Sequence, residues 1–252
     1  MGGLEGGDVI VIGARPAVGK SAFVTQVLMS MGAAGKRVIL YNLEMSDRQI
    51  YERMLSRLSG IKRNRIRRGK SFLYDEKSRF DAANTELKKM DIWISSGAKT
   101  VSEIRGECRN MGADCIIIDY LQLVRSERRY SNRANEVGDI SKSIKALAME
   151  LNCPVIVLSQ LNRLSETRGN QEPTMAELRE SGDIEQDASI IALLWNLDNA
   201  DHSKKGLAVV KNRQGELMKE RMEFIGESMT FSELGEWDHD FKPSQQKTPF
   251  DD

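Results

Sequence analysis

A strand-like apolar run at residues 9–12 leads into Gly13-Ala14-Arg15-Pro16-Ala17-Val18-Gly19-Lys20-Ser21. The chain then enters a helical pattern marked by Phe23, Val27 and Met31. Few folds accept a strand, a glycine-bearing loop and an apolar helix in that order. The loop's backbone N–H groups and the helix N-terminus together make an anion site. Lys20 offers positive charge to terminal phosphates, and the Ser21 hydroxyl is a hard ligand suited to Mg2+. The strict motif has glycine five residues before Gly19, where this chain has Ala14. The predicted nucleotide contacts are Ala14, Arg15, Pro16, Ala17, Val18, Gly19, Lys20, Ser21 and Ala22.

The rest of the chain repeats the alternation. Residues 38–43, 91–94, 115–118, 155–158 and 190–194 are short, nearly unbroken Val/Ile/Leu runs, as parallel strands covered on both faces require. Between them lie helical patterns. In residues 135–151, Val137, Ile140, Ile144, Leu147 and Leu151 recur at helical spacing, and Asn152-Cys153-Pro154 ends the run. Ser46 with Gln49, and Thr100 with Glu103, have capping-box spacing. Two alternating runs, 207–210 and 221–225, flank the turn-like Asn212-Arg213-Gln214-Gly215 and predict an antiparallel hairpin. The expectation is an α/β fold: a mostly parallel central sheet, helices on both faces and a C-terminal β-hairpin. One domain is expected over residues 1–240, with 241–252 a polar, disordered tail. The first strand follows the N-terminus almost at once, which suggests a domain taken from a longer protein.

In such sheets ligands bind beyond the carboxyl ends of the strands. Asp119 closes the run Ile116-Ile117-Ile118 and is placed to hold Mg2+ with Ser21. Glu44 follows the second strand and could polarise an attacking water, or be a solvated strand-end glutamate. Gln160 could bond a terminal phosphate, or merely cap a loop. Lys211 and Arg213 flank the hairpin turn, either as a solvated tip or as charge supplied to another subunit's site.

Composition removes other classes. Lys and Arg number 37 and Asp and Glu 37, so no whole-surface electrostatic grip on nucleic acid is indicated. Positive charge is instead local, at residues 62–70 and at Arg125, Arg128, Arg129 and Arg133. The second cluster follows Asp119 and suits phosphate contact; the first suits a solvated or interface face. Only Tyr130 offers a stacking aromatic nearby, so backbone tracking fits better than base stacking. Cys108, Cys115 and Cys153 lack metal-ligand spacing and read as buried thiols of a reducing, cytoplasmic compartment. The two histidines, His202 and His239, lie far apart, which argues against a metal site or a Ser-His-Asp triad. No apolar stretch reaches membrane-spanning length, so no membrane partner is expected.

Six segments taken together resemble the DnaB family of replicative helicases, in its C-terminal RecA-like P-loop domain. They are Ala14-Arg15-Pro16 through Gly19-Lys20-Ser21, Leu43-Glu44-Met45, Ile117-Ile118-Asp119-Tyr120-Leu121-Gln122-Leu123, Leu158-Ser159-Gln160-Leu161, the stretch Leu178-Arg179-Glu180-Ser181-Gly182-Asp183-Ile184-Glu185-Gln186-Asp187-Ala188, and Lys211-Asn212-Arg213-Gln214-Gly215. Ala14 is itself part of the likeness. The resemblance implies an ATP- and Mg2+-dependent helicase motor that hydrolyses ATP between subunits of a homohexameric ring, translocates on single-stranded DNA and unwinds duplex. It implies Lys20 and Ser21 as phosphate and Mg2+ ligands, Asp119 as the acid of the metal site, Glu44 as catalytic base and Gln160 as γ-phosphate sensor. Lys211 and Arg213 would reach the neighbouring subunit's site. Arg179, Glu180 and Gly182 would line the channel and touch DNA, with Arg128 and Arg129 as further contacts. A helicase loader is an expected partner, and primase is expected to bind through an N-terminal helical domain rather than through these residues. Two other classes share the motifs: a RecA/RadA-type recombination ATPase, and a non-hydrolysing nucleotide switch or scaffold.

Overall fold

The computed structural model describes residues 3–68, 72–162, 172–178, 182–198 and 200–237. Val9–Ala14 forms β1, Lys20–Ala33 α1, Val38–Asn42 β2, Asp47–Ser59 α2, Arg63–Arg68 α3 and Tyr74–Leu87 α4. Ile92–Ser96 forms β3, Val101–Met111 α5, Cys115–Asp119 β4, Arg133–Leu151 α6 and Val155–Gln160 β5. Gly182–Asp187 forms α7, Ile190–Asn196 β6, Lys204–Asn212 β7, Met218–Ile225 β8 and Thr230–Glu236 β9. Short 3-10 turns occupy Leu121–Leu123 and Met175–Leu178.

Among the described residues the strands make one nine-stranded sheet, in the order β3-β2-β4-β5-β1-β6-β7-β8-β9. The pairs from β3 through β6 are parallel, and those from β6 through β9 are antiparallel. Successive side chains of a strand point to opposite faces, so each buried strand serves two cores. Val9, Val11, Ile116, Ile118, Val155 and Val157 pack with Ile104 of α5 and Ile140, Ile144 and Leu147 of α6. Ile10, Ile12, Ile117, Ile156 and Leu158 pack with Val24 and Leu28 of α1 and Ile50, Met54 and Leu55 of α2. Double coverage is why these runs are continuous rather than alternating.

The local punctuation follows the sequence. Thr100 Oγ1 accepts from Glu103 N at 3.2 Å, and Thr100 N donates to Glu103 Oε2 at 2.7 Å. Ser46 N donates to Gln49 Oε1 at 3.0 Å. Helix α6 begins two residues earlier than predicted, because Asn132 Oδ1 accepts from Ala134 N at 2.8 Å. It ends where expected, with Asn152 left-handed at φ 47°. The three thiols are buried and free, and burial pushes that of Cys153 up to about 12.

The hairpin is present as β7–β8, but its strands are longer than predicted and a third strand follows. Residues 230–236 mix polar and apolar groups without clean alternation, so β9 was not legible. Its anchor is Phe231, 2% exposed. Its ring meets Phe23 of α1 edge-on at 5.4 Å and Phe224 of β8 at 4.6 Å. Gln26 of α1 also donates to Phe231 O at 2.8 Å. The antiparallel extension is thus fastened to the helix that follows the phosphate loop. The tail at 241–252 lies outside the described residues.

Phe231→Ala is expected to cost about 3–5 kcal/mol, read as a lowered urea midpoint at unchanged slope. An unchanged midpoint would show that β9 does not brace the fold.

Candidate functional site

The carboxyl ends of the parallel strands meet along one edge of the sheet. Ala14 is paired with Gln160, and Asn42 with Asp119, so the ends of β1, β5, β2 and β4 lie side by side. A cleft of about 340 Å³ opens there. Of the predicted nucleotide contacts, Ala14, Arg15, Pro16, Ala17, Gly19, Lys20, Ser21 and Ala22 line it, and so do Glu44 and Gln160. Val18 does not; it is buried behind the loop with Ala14, Ala22, Leu194 and Phe231.

The loop geometry explains Ala14. It is the last residue of β1, buried, and outside the left-handed region, so nothing there demands glycine. Gly13 is needed for packing: a Cβ would lie 2.9–3.0 Å from side-chain carbons of Leu193, Leu161 and Leu178. Gly19 carries the conformational demand, at φ 111°. Arg15 pairs with Glu177 at 3.4 Å.

Lys20 is the first residue of α1. Its Nζ lies 4.5 Å from the centre of the Tyr120 ring. Burial lowers its pKa, opposed by the negative charges of Asp119 and Glu44. Asp119 ends β4, 2% exposed. Burial pushes its carboxyl up, against a hydrogen bond from Ser21 and the charge of Lys20. Its Oδ1 is buried with no hydrogen-bond partner. An orphaned carboxylate oxygen beside a serine hydroxyl is an all-oxygen donor set, which suits Mg2+ completed by phosphate oxygens and water. The Asp119–Tyr120 peptide is cis.

Glu44 is exposed, two residues beyond β2. Buried Asn42 shapes its turn: its Nδ2 donates to Met45 O at 2.8 Å, and its Oδ1 accepts from Met45 N at 3.2 Å and Glu44 N at 3.4 Å. Arg53 of α2 also lines the cleft, and the sequence reading missed it. Its Nε is buried and unpartnered. Its pKa is lowered chiefly by burial, then by Arg63, while Asp119 and Glu44 oppose. The available signal was an arginine on the face of α2 that buries Ile50 and Met54. Phe224 and Met229 form an apolar wall, also missed because it comes from the antiparallel extension.

Lys211 and Arg213 are not in this cleft. Arg213 follows β7 and its N donates to Ser189 O at 3.0 Å. Asn212 pairs with Ile190 and Ile190 with Ile10, at the amino ends of β6 and β1. From Ile10 to Ala14 is four residues, about 13 Å along the strand. The two cations therefore lie at the end of the sheet opposite the chain's own phosphate loop. Their side chains donate to the carbonyls of Glu185 and Gln186 in α7. Gly182 is the exposed first residue of α7. Arg179 and Glu180 lie outside the described residues.

Arg128 and Arg129 are exposed in the segment after the Leu121–Leu123 turn. Neighbouring Arg125 is paired with Glu103 at 2.9 Å and Arg133 with Glu136 at 2.7 Å. In the earlier basic cluster Lys62 pairs with Glu227, Arg63 with Glu52 and Arg65 with Glu76. Among the described residues no group of His, Cys, Asp or Glu could alone hold a metal ion, and no helix is long and apolar enough to cross a membrane.

A phosphate loop at the carboxyl edge of a mostly parallel sheet, with a buried acid two strands away at the same edge, defines the class: a RecA-like P-loop domain. The family model described as DnaB-like helicase C terminal domain matches residues 1–233, and the chain belongs to that family. A probable plasmid replicative DNA helicase of Chlamydia psittaci is 38% identical over 231 residues, which are 88% of this chain and 50% of that protein. The replicative DNA helicase DnaB of Geobacillus stearothermophilus is 38% identical over 244 residues, 92% of this chain and 54% of its own. The chain thus spans about half the length of the curated relatives it matches. Among solved structures, one described as an ATPase domain superposes with a TM-score of 0.88 at 30% identity, covering 92% of this chain and 87% of that one. A DnaB-like replicative helicase, described with its interactions with primase, gives a TM-score of 0.86 at 29% identity, covering 92% and 58%.

A buried, partly unpartnered arginine is a stability cost that an anionic ligand relieves. Arg53→Met is expected to raise the melting temperature of the nucleotide-free protein by about 2–4 °C. The same variant should bind a triphosphate analogue about tenfold more weakly, a loss of about 1.4 kcal/mol. Calorimetry and titration read both; unchanged affinity would remove Arg53 from the site.

Proposed function

We infer that this chain is the motor domain of an ATP-dependent DNA helicase, acting as a homohexameric ring on single-stranded DNA. One observation carries the reading furthest. Lys211 and Arg213 stand at the sheet end opposite the chain's own phosphate loop. They can serve a phosphate site only on another copy, and a repeated head-to-tail contact of that kind forms a ring when its rotation closes.

In this reading the loop amides and Lys20 bind the ATP phosphates, with Phe224 and Met229 as the wall of the cleft. Mg2+, held by Ser21 and Asp119, would supply charge neutralisation at the phosphates. Glu44 orients and deprotonates the attacking water, and its exposure on a turn fixed by Asn42 leaves room for that water. Gln160 and Arg53 face the terminal phosphate, and Arg213 from the neighbour adds charge as the bond to the leaving group breaks. The DNA contacts would be Arg179, Glu180 and Gly182, with Arg128 and Arg129 on the segment beyond Asp119. Each subunit then engages few phosphates, and affinity on a neutral chain arises from several subunits gripping one strand. Primase and a helicase loader are proposed partners of the assembled protein, and the cytoplasm its compartment.

Phosphate release measured with and without single-stranded DNA tests the activity. DNA stimulation is expected, and its absence at high protein concentration would favour a nucleotide switch. Glu44→Gln should keep nucleotide affinity within about twofold while turnover falls about 10²–10⁴-fold, the usual worth of a general base. Normal turnover would remove Glu44 from the chemistry.

Arg213→Ala should cut turnover about 10³-fold, as loss of a trans arginine does. Lys20→Ala should abolish it. Mixing the two variants should restore activity, because an intact phosphate loop then meets an intact Arg213 across some interfaces. A mixture as inactive as its parts would place Arg213 outside the neighbour's site.

A further inference from the structure

Strand β5 outlasts its neighbour. β4 and β5 are paired only as far as Ile118 with Val157, after which the chain leaves the sheet through the Leu121–Leu123 turn. On the other side β5 remains paired with β1 through Ala14 and Gln160. The terminal residues Ser159 and Gln160 therefore have one flank without a strand partner.

The Gln122 side chain fills the vacated place. Its Oε1 accepts from Gln160 N at 3.3 Å, and its Nε2 donates to Gln160 O at 3.3 Å and to Ser159 Oγ at 3.1 Å. The next residue, Leu161, turns its N–H the other way, to Ala14 O at 3.1 Å. A carboxamide carries one donor group and one acceptor, as a peptide does, so it can stand in for a strand. Gln122 is itself held. Its carbonyl accepts from Arg133 Nη2 at 2.5 Å, and the flanking Leu121 and Val124 are buried. Arg133 closes the basic segment that includes Arg128 and Arg129.

We propose that Gln122 is a positioning residue for Gln160: its carboxamide fixes the end of β5 so that the Gln160 side chain meets a terminal phosphate. Through Arg133 it also ties that residue to the segment proposed to touch DNA. Gln122 does not line the cleft and touches no nucleotide itself. The proposal rests on the reading of Gln160 as the group that detects the terminal phosphate.

The test compares affinities for ADP and for a non-hydrolysable triphosphate, AMP-PNP, by titration on the full chain. Gln122→Leu should leave ADP affinity within about twofold and lower AMP-PNP affinity about tenfold, a change of about 1.4 kcal/mol. A merely structural defect would weaken both nucleotides. Gln160→Ala should show the same selective loss, and the double variant should lose no more than Gln160→Ala alone, because residues acting as a unit are non-additive. If Gln122→Leu does not fold, Gln122→Glu carries the same expectation: it has the same shape, but its carboxylate cannot donate to Gln160 O. Selective loss in Gln160→Ala with none in the Gln122 variants, or additive losses, would overturn the positioning role alone. Unchanged AMP-PNP affinity in Gln160→Ala would overturn the sensor reading itself.

Discussion

Lys20 and Asp119 are taken out of water at the carboxyl edge of the sheet, and burial works against the charged form of each. Their mutual attraction offsets part of that cost, and the Ser21 hydroxyl a further part. Arg53 adds a third desolvated charge to the same cleft. An uncompensated buried charge is expensive, and a ligand with complementary charge relieves it. The cleft's electrostatics thus favour a charged ligand over water alone, and the rest of the fold serves to hold these groups in place.

The parallel strands do most of that holding. Because β1, β2, β4 and β5 run in one direction and are covered on both faces, their last residues converge at one edge with little freedom. Ala14, Asp119 and Gln160 owe their positions to strand register rather than to local sequence. Where register runs out, side chains complete the frame: Asn42 builds the Glu44 turn, and Gln122 substitutes for a strand beside Gln160. The antiparallel strands have another part. They carry Phe224 and Met229 to one end of the sheet and Arg213 to the other, so one extension furnishes a wall for its own cleft and a cation pointed away from it.

α7 stands between two of these roles. It starts at Gly182, and its Glu185 and Gln186 carbonyls receive Lys211 and Arg213. Ser141 Oγ of α6 donates to Asp187 Oδ2 at 2.7 Å, and buried Ile184 anchors the helix in the core. The hairpin cations therefore rest on one short, firmly packed element.

Much of this was legible beforehand. Unbroken Val/Ile/Leu runs locate parallel strands because both faces are buried, and the Gly19-Lys20-Ser21 context locates the phosphate loop because a strand must precede it and a helix follow. Strand-end polar residues then stood out as candidates by position. β9 was not legible, because an edge strand half in solvent has no clean apolar alternation. Arg53 escaped because a helix periodicity marks which face is buried but not that a charge on it lines a cleft. For Glu44, Gln160 and Arg213 the residues alone left a bland reading open, which the resemblance to known helicases weighed against.

The sequence by itself determined the types of the core elements, the parallel core and the loop's chemistry, because periodicity and backbone constraints are local. Only the tertiary structure decided which strand ends are neighbours, that Gly13 rather than Ala14 is the crowded position, and that Lys211 and Arg213 face away from their own phosphate loop. Those facts depend on strand order and direction, set by which faces bury together across distant parts of the chain.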